Sequence, residues 1–220
     1  MEILYREVDK HTIETILLVG CILLITFAKV THEIRFTRFL GAFVSDKYLK
    51  LYGKEQEPNI NKFNILLFIV QLIIFGMLMA YTLDYAGIIP KKASLLLVIT
   101  GLGLFVLFKF YLEKLIATIF DLGYFLEQYN FHKLTYRNLA AIILLPLMAM
   151  LIYNPAAKKI VLFVTIGIFV LLNLIAWGRI LKKHQKFLFK KLFYFILYLC
   201  ALEIAPYLII ARVAFFSEGY

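Results

Sequence analysis

Residues 192–216 read LFYFILYLCALEIAPYLIIARVAFF. A run of about 17–25 apolar residues is what a helix needs to cross the hydrocarbon layer of a bilayer, and this one suffices. Near its middle stand Glu203 and Pro206. An acid at mid-membrane costs about 3 kcal/mol or more, so the helix calls for neighbours that hold it. Pro206 lacks an amide N–H, which leaves the carbonyl of Leu202 wanting a donor as well. A lone helix has no such partners. A bundle has.

The rest of the chain supplies the bundle. Of 220 residues 63% are hydrophobic and the mean hydropathy is +0.85, whereas soluble domains run at about 45–50% apolar. This is the composition of an integral membrane protein. The net charge of +10 comes from Lys and Arg crowded into connections between apolar runs. Anionic lipid head groups are the partner such charge suggests, and no nucleic acid is expected. Cys21 and Cys200 both lie in apolar runs, where a thiol acts as a small hydrophobe. The opening MEILYREVDKH mixes acids with bases and does not read as the basic head of a signal peptide, so the first helix is expected to stay attached.

The pattern predicts an all-α polytopic bundle forming one domain over residues 1–220, with six transmembrane helices at about 13–30, 63–83, 93–110, 139–153, 160–178 and 192–216. After the first span, Phe36, Phe39, Leu40, Phe43 and Tyr48 recur near the helical period, with basic residues between them. That predicts an amphipathic helix in the head-group plane or packed on the rim of the bundle. The period of the third span runs on through Leu112, Leu115, Ile119 and Leu126, which predicts an extension beyond the membrane. Lys109 and Glu113, four apart, share a face of it. Segment 139–153 is short and contains Pro146, so it fits a tilted span or part of a re-entrant hairpin. Gly101 and Gly103 suit close packing or the ordinary glycine content of a membrane helix.

Orientation follows from Lys and Arg. Seventeen of the 24 fall on one side, in or beside the connections after the first, third and fifth spans. That side is expected to be cytoplasmic, with both termini outside. Head-group contacts are expected from Arg35, Arg38, Lys47 and Lys50, and from Lys182, Lys183 and Lys186.

Glu203 is read as the only acid deep within a span. At 1.5 Å per residue it lies about 16 Å from the cytoplasmic start of its helix, and Gln71 lies about 12 Å from the start of its own. Gln71 is therefore the expected partner in an intramembrane polar cluster with Pro206, and Asn173 the expected source of a separate interhelical bond. The cluster either fixes helix register or binds an ion. His11, His32, His132 and His184 are scattered without metal-ligand spacing, and HExxH, GxSxG and GxxxxGK[ST] patterns do not occur. No enzyme activity, metal or cofactor is expected.

Two stretches, GAFVSDKYLKLYG at 41–53 and FYFILYLCALEIAPYLIIAR at 193–212, together with the basic loops resemble an uncharacterised family of multi-pass inner-membrane proteins of Bacteroidetes, defined as a domain of unknown function. The resemblance implies a bacterial inner membrane and brings no activity. The expectation is an accessory or scaffold subunit of a larger membrane complex, in a protein-export or secretion setting. The alternative is a proton- or ion-coupled small-solute transporter using Glu203.

Overall fold

The computed structural model describes residues 12–43, 47–53, 61–87, 95–119, 123–154 and 158–190, without the side chains of 116–117, 119, 124–126 and 181–190. The described residues contain seven α-helices and no strand: α1 (Thr12–Thr31), α2 (Glu33–Leu40), a 3-10 turn at Gly41–Phe43, α3 (Lys47–Tyr52), α4 (Lys62–Tyr85), α5 (Leu95–Ile119), α6 (Gly123–Tyr153) and α7 (Lys158–Lys190). Five stretches are long and apolar enough to cross a membrane, as in a helical membrane protein: Thr12–Thr31, Lys62–Tyr85, Leu95–Leu115, Glu127–Tyr153 and Lys158–Ile180. The expected sixth span, 192–216, lies outside the described residues with Glu203 and Pro206.

Local chemistry sets the boundaries of α4. The Asn61 side chain accepts the Phe63 N–H at 3.2 Å, capping donors that have no partner within the helix. Beyond its last turn, Gly87 takes φ 74°, a left-handed conformation that glycine adopts without strain.

Helix α1 runs antiparallel to α4 and α6, and α7 antiparallel to α4, so the central pair α4 and α6 is parallel; side-chain contacts between helix ends establish it. The Tyr81 hydroxyl, near the end of α4, donates to Glu14 near the start of α1 at 2.8 Å. Thr15 of α1 and Tyr153 at the end of α6 share a hydrogen bond of 2.8 Å. Lys158, opening α7, lies 3.9 Å from Asp84 of α4. The opposite end, where α5 finishes and α6 begins, carries α2 and α3 and is called the basic end below.

Helices α4 and α6 form the centre, with 50% and 56% of their apolar windows buried, against 17% for α1, α5 and α7. Helix α6 packs on α4 and α7, and α4 packs on α5 and α1. One core, in the middle of the bundle, joins Val70, Ile74 and Met77 of α4 to Ala141, Leu144 and Met148 of α6. A second, at the basic end, is aromatic: Phe36 and Phe39 of α2, Tyr48 of α3, Phe63 of α4 and Phe131 of α6 belong to it.

Three expectations are corrected. The segment read as a short span at 139–153 is the second half of the continuous 31-residue α6. Pro146 removes one hydrogen-bond donor, which α6 accommodates without ending. The third helix does not run on to Leu126: it ends at Ile119, and α6 has begun by Gly123. The amphipathic segment is not one helix but two short ones, α2 followed by a 3-10 turn and then α3, and of the two placements expected its aromatic face takes the one packed on the bundle.

Close approach of α4 and α5 centres on Gly76. A Cβ built there would meet Ile99 Cγ1 at 2.7 Å and the Ile99 backbone at 3.1 Å. Gly103 of α5 likewise sits against Leu72, with 3.2 Å available, whereas Gly101 faces open space. Small residues at such crossings let membrane helices gain van der Waals contact that lipid would otherwise supply. Gly76→Ala should therefore cost about 1–3 kcal/mol by overpacking, while Gly101→Ala leaves stability unchanged within about 0.5 kcal/mol. Unfolding of both variants in mild detergent measures the difference.

Candidate functional site

At the basic end α4, α5 and α6 leave a space among them. The space between them is a cavity of about 200 Å³. Its polar groups arrive at helical spacing from three elements: Asn64 and Gln71 from α4, Lys109 and Glu113 from α5, and Asn130, Lys133 and Arg137 from α6. Each set lies along one face, since positions three, four or seven apart superpose on a helix. Phe68, Val106, Leu107, Phe110 and Leu134 give the cavity apolar walls.

Asn64, Gln71, Lys109, Glu113 and Asn130 are at most 9% exposed, and Lys133 and Arg137 are half-buried. Lys133 Nζ lies 3.5 Å from Glu113 Oε1, bridging the gap between α5 and α6. The same ammonium stands 5.7 Å from the centre of the Tyr129 ring. Three cations thus share the cavity with one carboxylate. Gln71 Oε1, Asn130 Oδ1 and Glu113 Oε1 accept no hydrogen bond among the described residues. Buried polar atoms in folded proteins are nearly always satisfied, by protein, water or ligand. The cavity therefore offers fixed positive charge for an anionic group and acceptor oxygens for a donor.

The residues singled out in the sequence fall in different places. Gln71 lines this cavity, and its expected partner Glu203 lies outside the described residues with Pro206. Among the described residues, the Asn173 Nδ2 donates within α7, to the Phe169 carbonyl at 2.7 Å. Of the expected head-group contacts, Arg38, Lys47 and Lys50 are exposed at the basic end. Arg35 is buried, its guanidinium 4.5 Å from the Tyr52 ring centre and 5.4 Å from that of Phe63, which places it in the aromatic core. The side chains of Lys182, Lys183 and Lys186 are outside the described set.

The sequence reading missed the charged half of the cavity. Starting a span at Leu139 left Lys133 and Arg137 in a connection, and carrying the third helix into water left Lys109 and Glu113 on an exposed extension. Glu113 is instead buried, near the end of the stretch Leu95–Leu115. The signal available was the spacing of Asn130, Lys133 and Arg137, which is that of one helical face continuous with the apolar run after it.

Lys133→Ala would leave the Glu113 carboxylate without the cation 3.5 Å away. Removal of one partner from a buried pair costs on the order of 3 kcal/mol, because the other charge stays desolvated. The double variant Glu113→Gln/Lys133→Gln should be less destabilised than the sum of the two single changes, with a coupling of about 1–3 kcal/mol. A double-mutant cycle of unfolding in detergent gives that number.

No match is found among curated proteins or among solved structures. A family described as Domain of unknown function (DUF4271) matches residues 14–214. With nearly the whole length covered, the chain belongs to that family.

Proposed function

We propose that the protein is a non-enzymatic accessory subunit of a larger bacterial inner-membrane complex, and that it binds an anionic group in the cleft between α4, α5 and α6. The supporting observation is the gathering of Lys109, Lys133 and Arg137 around Glu113 in one interhelical cavity. Ionisable groups on spanning helices are expensive to keep, and where they cluster they mark a site. A binding role asks of them what they are built to give: charge held in place by surrounding helices before a ligand arrives. Six spans with both termini periplasmic complete the proposal, supported by the seventeen Lys and Arg residues assigned to one side. That assignment puts the cleft at the cytoplasmic end. Protein export or secretion is the setting suggested by the resemblance to Bacteroidetes membrane proteins.

The transporter alternative on Glu203 is favoured by one observation, the presence of a second acid, Glu113, on a span and in an ion pair. Coupled transport usually moves protons or ions through several such groups. On that reading, Glu203→Gln or Glu113→Gln abolishes a pH-dependent flux in proteoliposomes while the protein stays folded.

Mass spectrometry of proteins retained by the tagged chain at native expression in mild detergent tests the subunit proposal. A reproducible membrane partner is expected, and Lys109→Ala/Arg137→Ala should lower its recovery without lowering the amount of the chain itself. A monomer with no partner would overturn it.

A further inference from the structure

The cleft lies at a particular depth. Some 20 helical residues cross the hydrocarbon layer. Measured from the opposite ends, at Tyr85 of α4, Leu95 of α5 and Tyr153 of α6, the boundary at the basic end falls near Leu66, Lys114 and Leu134. Tyr85 and Tyr153 are exposed, as aromatic residues at the far interface would be. Glu113 and Lys133 then sit at the boundary, and Arg137, Lys109 and Gln71 lie within about 8 Å inside it. These positions run from the inner edge of the head-group region to the first carbons beneath it, within reach of a phosphate for long Lys and Arg side chains. Ile65 and Leu107, at the rim, are exposed on spanning helices, so the opening between α4 and α5 faces lipid.

Chemistry selects among lipids. Three cations against one carboxylate favour a head group of net negative charge. Gln71 Oε1, Asn130 Oδ1 and Glu113 Oε1 require donors, which a bare phosphate monoester largely lacks and a polyol provides. The apolar walls at Phe68, Val106 and Phe110 suit acyl chains.

We infer that the cleft is a specific site for an anionic phospholipid whose phosphate is esterified to a polyol, as in phosphatidylglycerol. The phosphate takes charge-assisted hydrogen bonds from Lys109, Lys133 and Arg137, and the two free hydroxyls of the glycerol, which lies on the aqueous side of the phosphate, donate to Glu113 and Asn130. The acyl chains leave between α4 and α5. This deepens the proposal that the cleft is a binding site by naming its occupant.

Thermal unfolding of the full chain in mild detergent, titrated with single lipids, tests it. Phosphatidylglycerol should stabilise at a concentration about tenfold below that needed with phosphatidylcholine, a difference of about 1.4 kcal/mol. Phosphatidic acid, with phosphate but no polyol, should fall between them. Lys109→Ala/Arg137→Ala should reduce the phosphatidylglycerol preference to within about twofold (~0.4 kcal/mol), and Asn130→Leu should bring phosphatidylglycerol to the level of phosphatidic acid. Each preference is a ratio within one variant, so a general loss of stability leaves it readable. Equal stabilisation by all the lipids would overturn the inference. So would soluble glycerophosphate acting as well as the lipid, which would make the cleft a site for an aqueous anion. A phosphatidylglycerol preference in a chain that purifies alone would uphold the lipid site and remove the subunit role. A partner complex with no lipid preference would do the reverse.

Discussion

Lipid tails are as apolar as leucine, so nothing like the hydrophobic effect in water drives two membrane helices together, and the pairing of α4 with α6 must rest on fitted contact. Val70, Ile74, Met77, Ala141, Leu144 and Met148 show that fit, each with essentially no exposed surface. Every other long helix is placed by this pair. Helix α1 lies against α4, α7 against α6, and α5 is held on α4 at the Gly76–Ile99 crossing. Ala141 and Gly76 are small where backbones approach, and that allows α4 to contact helices on several sides.

The cleft is a consequence of this arrangement. Helix α5 follows α4 closely at Gly76 and Gly103 and meets α6 far less. A gap between α5 and α6 in an all-apolar bundle would fill with side chains or lipid. In this protein it is bridged by Glu113 and Lys133, with amides and two further cations around them. Such groups are poor stabilisers, since the desolvation of each charge offsets much of the attraction between them. Leucine at these positions would pack the gap without that penalty.

The aromatic core at the basic end serves a different purpose. Phe39 packs with ring centres 5.6 Å from Tyr48 and 5.7 Å from Phe63, and Tyr48 stacks on Phe131 at 5.9 Å. Four elements separated in sequence are joined by these contacts, and Arg35 is enclosed among them over two rings. Because Phe131 and Asn130 are adjacent on α6, the plug also fixes the rotation of the helix that presents Asn130, Lys133 and Arg137 to the cleft.

The helical class, the positions of four of the five described spans and the basic character of one end were legible in the amino-acid sequence. Each depends on a property that local composition carries: apolar run length against bilayer thickness, and Lys and Arg clustering between runs. Gln71 was legible too, as an amide in an otherwise apolar span. The site around it was not. Lys109, Glu113, Lys133 and Arg137 all stand at the edges of apolar runs, where residue type fits a solvated connection as well as a buried face, and only burial separates the two. Asn173 is an amide whose bond among the described residues runs to the carbonyl four residues before it, which residue type by itself does not reveal. Sequence by itself determined that these helices are long and apolar enough to span and which end is basic. Tertiary structure decided where α6 begins and that α4, α5 and α6 enclose a cavity there. It thereby brought together charges from three helices, since their convergence depends on packing between segments 20 to 70 residues apart, about which local pattern is silent.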